Sequence, residues 1–464
     1  MWIDTAIVLG YILLLVGIGL RGGKGVKNAA DFTASGGRYG TAVIFATLSA
    51  SYVGGGYSSG NAAKAFSAGI STTLTLLGFS LAMVLIGKFL VPGVARFSGA
   101  VTVGGIVGEA YGKRARVLTG LFSFLCCAGV VGAQMESIGM VFHVLLGVEH
   151  HMGVLLGCGI VLLYTTFGGL QSVIFADILQ FVLLAGGMPV LLILALLKAG
   201  GPGPVLEALP ASYFDPFNGT TAAGFVSLFL SMMLGEALAP PYTQRLLIGR
   251  NAKGTARGTI LSGLFSIPFV TGGIGLTAYA LHVTNESASA MPALIQAVLP
   301  VGIRGIMMAA MVSIILSAAD GFLNGAAVSF VCDALMPLKP GLSDKAQLRW
   351  LRGINVATGL AAVCLAFLVP DVFSILVLAY SFWSPLILVP LAAALLGVKS
   401  NGRAFRYALL AGLVSTLVWN YGLGKPFGFE GAIVGTLCNF VVFALCTRAY
   451  RRYRSQTLRV WKTR

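Results

Sequence analysis

Charge is scarce in this sequence. Only 10% of the 464 residues are Asp, Glu, Lys or Arg, while 57% are hydrophobic, and acidic residues number 15 against 31 basic ones. So little charge leaves most of the chain without polar surface, and apolar runs long enough to cross a bilayer recur along it, so an integral membrane protein is expected. Histidine is rarer still, at 4, and the seven cysteines form no CxxC pair, which removes the usual zinc frameworks. Cys126, Cys127, Cys158, Cys332, Cys364, Cys438 and Cys446 all fall in apolar runs and read as small core residues. Walker, Rossmann and Ser/His/Asp patterns are missing from any suitable context, so no enzyme is expected. The net charge of +16 does not point to nucleic acid, because Lys and Arg come in short bursts between apolar runs rather than along one basic face.

What is present is an apolar run repeated thirteen times between residues 3 and 448. The basic bursts fall in alternate connections, and 26 of the 31 basic residues lie on one side of a thirteen-span arrangement. Under the positive-inside rule that side is the cytoplasm, so the N-terminus faces out and the C-terminus in, as in a plasma or inner membrane. The first run, 3 to 20, is expected to be a true span: Asp4 replaces the basic start of a signal peptide and no small-residue cleavage site precedes Arg21. One membrane domain over 1–464 follows, with a basic cytoplasmic tail at 449–464.

Two runs carry their own helix breakers. The second contains SASYVGGGYSSGN (49–61), and Gly54-Gly55-Gly56 there favours local unwinding. The seventh contains LGEALAPPY (234–242), where Pro240 and Pro241 each lack an amide donor. These runs are five apart. Transporters built from two inverted five-helix repeats break the first helix of each repeat and bind solute where the breaks meet. The plainer alternative is that the glycines only let another helix approach closely.

The segments DFTASGGRYG (31–40), VTVGGIVGEAYGKR (101–114), YTTFGGLQSVIFADILQ (164–180), YTQRLLIGR (242–250) and ILSAADGFLNGAAV (315–328), with the glycine break, resemble the sodium:solute symporter family. YVGGGY is most similar to its high-affinity choline transporters. The resemblance implies an all-α, leucine-transporter-type fold with discontinuous helices. Its two inverted five-helix repeats would be 41–198 and 223–398, with an extra helix at 3–20 and two more within 405–448. It further implies a sodium ion held by the carbonyls of Ala50, Val53 and Ile314 and the hydroxyl of Ser317. Ala318 takes the place of the family's second hydroxyl. A choline cage would need several aromatic rings. The matching positions are Tyr52, a valine at 130 or 131, and Ala239, which argues against choline itself.

The substrate site is therefore expected around Tyr52, Tyr57, Gln134, Glu236, Ala239 and Tyr242. Ionisable groups at membrane depth usually mark function. Lys64, Glu136, Asp177 and Asp320 are read as coupling or gating groups, with Lys64 a possible buried partner of Glu236, or else a side chain reaching to the interface. The expected activity is sodium-driven uptake of a small organic solute by alternating access, without a cofactor beyond the co-transported Na+. Proton coupling through Glu236 or Glu136 is the alternative, and a membrane sensor a more distant one.

Overall fold

The computed structural model describes residues 2–33, 37–97, 99–265, 267–369 and 371–462, with side chains to 452. Ala34, Ser35 and Gly36 of the DFTASGGRYG motif, and Arg464 of the tail, lie outside the described residues. Among the described residues every regular element is a helix, and the single β-bridge joins Tyr39 to Gly249.

Each apolar run coincides with a helix or a helix pair. The first is α1 (Trp2–Gly23); the second divides into α2 (Thr41–Tyr52) and α3 (Asn61–Ala68); α4 (Ser71–Leu85) and α5 (Lys113–Leu146) follow. The fifth and sixth runs share α6 (His150–Lys198), which is kinked at Gly169. The seventh is α7 (Ala222–Gly235) with α8 (Pro240–Leu247), and the eighth is α9 (Ala252–Leu264) with α10 (Pro268–Ala280). Beyond them come α11 (Ile303–Val328), α12 (Asp344–Leu368), and α13 (Val372–Tyr380) with α14 (Val389–Leu395), then α15 (Gly402–Leu417) and α16 (Gly431–Lys462).

Polar residues punctuate this chain at the helix starts, where the first amides have no carbonyl partner. Thr221 Oγ1 accepts from the Gly224 amide at 3.0 Å, Asn251 Oδ1 from Gly254 at 2.7 Å, and Asn401 Oδ1 from Ala404 at 2.9 Å. Asp4 works across the fold. Its carboxylate accepts from the amides of Gly302 and Gly305 at the start of α11 and pairs with Arg304 at 2.6 Å, which ties the extra N-terminal helix to the second repeat. Helix α11 is the axis of the molecule, buried along nearly its whole length, and α1, α2, α5, α6 and α12 all pack against it. Four cysteines are buried as expected, whereas Cys364 is exposed on α12 because that helix turns one face outward.

Gly169 makes the kink in α6 by adopting φ +60°, ψ −170°, a region open essentially to glycine alone. A Cβ there would also stand 2.8 Å from the Phe32 carbonyl oxygen. Gly169→Ala is expected to destabilise the protein by about 1–3 kcal/mol from backbone strain. Thermal unfolding in detergent checks this, and an unshifted midpoint would reject it.

Candidate functional site

The first break is short and is held from outside. Helix α2 ends at Tyr52; the Gly54 amide turns to Tyr52 O at 3.0 Å, and the Gly55 amide bonds Gln134 Oε1 on α5 at 2.7 Å. The carbonyls of Ala50 and Ser51 thereby lose the amides that a continuous helix would bring them. A Cβ at Gly54 would lie 2.8 Å from the Ala318 methyl on α11, and one at Gly55 would lie 2.0 Å from Ser137 Oγ. The glycines thus serve both readings of the sequence, unwinding and close helix approach. Gly56–Gly60 resumes as a wider π-type turn leading into α3.

At the second break the chain bends by 44° between α7 and α8. Pro240 and Pro241 do not interrupt a helix there but open the second one, in the first turn where no amide is required. The break itself is Glu236–Ala239, with Leu238 at φ +57°. Trp383 Nε1 donates to Ala237 O at 2.8 Å, and Thr243 Oγ1 to Leu238 O at 2.7 Å.

Between the two breaks lies a closed chamber of about 20 Å³. That is room for roughly one water. Of the residues singled out in the sequence, Tyr52, Tyr57, Gln134, Glu236 and Tyr242 line it; Ala239 is buried and does not. Glu236 accepts hydrogen bonds from the hydroxyls of Tyr242 and Tyr380, the latter at 2.8 Å. Aromatic rings from separate helices surround it: Phe79 lies 4.9 Å from Tyr52 and 5.7 Å from Tyr242 between centroids, and Tyr242 lies 5.6 Å from Phe322. Of the three matched cage positions only Tyr52 carries a ring; the other rings come from further positions, Tyr57, Phe79, Tyr242, Phe322 and Tyr380.

A second cluster sits beside the chamber. Asp177 on α6 accepts from Ser317 Oγ at 2.8 Å and from the Thr47 hydroxyl, and pairs with Arg245 Nη2 at 2.8 Å. Arg245 also donates Nε to Thr47 Oγ1 at 2.8 Å and Nη1 to Pro241 O at 3.0 Å. Asp320 Oδ2 accepts from Tyr164 at 2.8 Å, while its Oδ1 is buried without a hydrogen-bond partner. Ala50, Val53, Ile314 and Ser317 are all buried, on α2, the first break and α11, with Ser317 hydrogen-bonded to Asp177.

Two sequence expectations are corrected. Arg245 belongs to no connection between spans: it is fully buried on α8, which lowers the count expected on the cytoplasmic side from 26 to 25. Its place in YTQRLLIGR, directly after the prolines, was the available signal. Lys64 does not meet Glu236. It is exposed on α3, with Nζ 5.7 Å from the Phe373 ring centre, because α3 turns that face outward beyond the break. Glu136 on α5 is buried and faces His150 Nε2 at 3.2 Å, away from the chamber lining.

Two broken helices, five spans apart, enclosing an aromatic-lined chamber with a buried carboxylate define a secondary transporter of the discontinuous-helix kind. The sequence profile of the Sodium:solute symporter family matches residues 32–413. The chain belongs to that family and is, with it, a multi-pass membrane transporter that couples solute uptake to sodium. It is 27% identical over 454 residues to the human high affinity choline transporter 1, covering 91% of this chain and 77% of that one. It is also 25% identical over 222 residues to the high-affinity proline transporter PutP of Bacillus subtilis, covering 46% and 47%. A Na+-coupled sialic acid symporter in a substrate-bound outward-open state superimposes with a TM-score of 0.85 at 18% identity, over 96% and 97% of the two chains. Fold and family agree with the inverted-repeat arrangement expected from the breaks.

Proposed function

We propose that the solute is a small organic cation, an amine or a quaternary ammonium, carried inward with sodium by alternating access. One observation carries this. Around the two breaks Asp177, Asp320 and Glu236 are all buried, and among the described residues one guanidinium, that of Arg245, is fully buried with them and pairs with Asp177. Uncompensated carboxylates in a low-dielectric interior are costly, so the site favours added positive charge. Sodium meets part of that demand next to Asp177, with Ser317 and the carbonyls of Ala50, Val53 and Ile314 as its oxygens. The solute's cationic group meets the rest at Glu236, where aromatic faces supply cation-π attraction and exclude water. That several relatives bear the name of a choline transporter supports the same class. At about 20 Å³ the chamber admits no organic solute, so the helices around it part to load and unload. In this reading the C-terminus faces the cytoplasm, supported by the basic connections under the positive-inside rule.

Uptake into proteoliposomes tests the reading. A sodium gradient at equal pH drives accumulation of amines or quaternary ammonium compounds, whereas neutral sugars and carboxylates are not accumulated; uptake driven equally well by a pH gradient without sodium would overturn the coupling. Ser317→Ala removes one ligand oxygen and is expected to raise the sodium concentration for half-maximal uptake about tenfold, the worth of one hydrogen-bonding group. An unchanged sodium dependence would remove Ser317 from the ion site.

A further inference from the structure

The molecule carries a second concavity, apart from the transport chamber. It is a groove of about 970 Å³ on the outer surface, walled by Leu85 and Phe89 following α4, Leu234 on α7, Ala392 on α14, and Phe440 and Ala444 on α16. Its chemistry is divided lengthwise. The body is apolar, and one end carries Arg448, Arg451 and Arg452; among the described residues no Asp or Glu lines it. Arg451 Nε is tied to Lys399 O at 3.3 Å, which fixes that guanidinium at the mouth.

We propose that this groove binds one anionic glycerophospholipid from the leaflet on the arginine side, its acyl chains along α16 and its phosphate among the three guanidinium groups. The dimensions match. Thr436 is the groove residue of α16 furthest from the arginines. From there to Arg448 is about 18 Å along a helix at about 1.5 Å per residue, close to the ~15 Å depth of one leaflet's hydrocarbon. Charge matches as well, because three arginines at the end of a membrane-facing cleft attract a phosphate diester and have little use for a zwitterionic head. The inner end reaches Leu234 and Ala237, so the lipid touches the second break directly, at the residue whose carbonyl Trp383 holds.

The test is thermal unfolding of the purified full chain in detergent with phosphatidylglycerol or phosphatidylcholine at equal mole fraction, and with glycerol 3-phosphate alone. Phosphatidylglycerol is expected to raise the midpoint well above phosphatidylcholine, and glycerol 3-phosphate to leave it unmoved, since the groove needs both chains and head. Arg448→Gln/Arg451→Gln/Arg452→Gln is expected to weaken phosphatidylglycerol about a hundredfold and erase its advantage. Arg454→Gln/Arg459→Gln/Lys462→Gln, further along the same tail, should keep it. Each variant's own lipid-free midpoint is its baseline, so a loss of intrinsic stability does not imitate the result. Equal shifts from the two lipids, a full shift from glycerol 3-phosphate, or loss of the preference in the distal triple variant instead, would each overturn the proposal.

Discussion

Arg245→Met lowers stability by about 3–5 kcal/mol, the expected result of removing one partner from a fully buried ion pair and leaving the other charged and alone. Asp177 is left with hydroxyl donors, those of Ser317, Thr47 and Ser51. Asp177→Asn alone leaves the guanidinium stranded in the same way, whereas Asp177→Asn/Arg245→Met removes both charges and should unfold at a higher temperature than either single variant. Sodium gives a second readout. With Arg245 gone, the carboxylate of Asp177 is free to recruit a cation, so added sodium should stabilise Arg245→Met more than it stabilises the parent. Thermal unfolding of all four proteins with and without sodium decides the matter. A double variant no better than the worse single, or Arg245→Met as stable as the parent, would show that the pair is not what holds α8 against α6.

Glu236→Gln should raise the KM for an organic cation by about 10- to 150-fold. The estimate is the 1.5–3 kcal/mol typical of a hydrogen-bonded charged group, converted at 1.4 kcal/mol per tenfold. The amide keeps the volume of the carboxylate and can still accept from one tyrosine, so the chamber should survive while its charge does not. Tyr380→Phe is the companion variant. It deletes one donor to the carboxylate and leaves the charge, so a smaller effect on KM is expected from it. Uptake kinetics at saturating sodium separate the two. If Glu236→Gln transports the cation with an unchanged KM, the carboxylate is structural and the proposed solute class is wrong.

How far the sequence could be read depended on the range of the interactions involved. Helix breaks are local chemistry: three glycines and two prolines act through their own backbones, so both halves of the site were visible in 49–61 and 234–242. Charge placement relative to the bilayer is equally local, which is why the basic bursts carried an expectation of topology. Arg245 was misassigned by that same logic, since a guanidinium near the end of an apolar run is usually interfacial. What buries it is Asp177, 68 positions away, and only the fold brings them together. The aromatic enclosure was hidden for a similar reason. Phe79, Phe322 and Tyr380 lie on three different helices and carry no spacing signal, so the sequence pointed to Tyr52, Tyr57 and Tyr242 beside the breaks and not to these three. Lys64 failed on direction rather than distance, because the wider turn at Gly56–Gly60 sets which face α3 presents.

Leu238 gives the two breaks different mechanical characters. A leucine held in left-handed backbone geometry costs about 1–2 kcal/mol that a glycine would not, and nothing comparable burdens the first break, where glycine bends freely. The first joint is therefore slack, and the second is a spring kept under tension by the Trp383 hydrogen bond at Ala237 and the Thr243 hydrogen bond at Leu238 itself. In any conformer where Leu238 returns to ordinary geometry that tension is released, a bias of about 5- to 30-fold away from the closed chamber at 1.4 kcal/mol per tenfold. Opening would then start from the α7–α8 joint, with the glycine joint following.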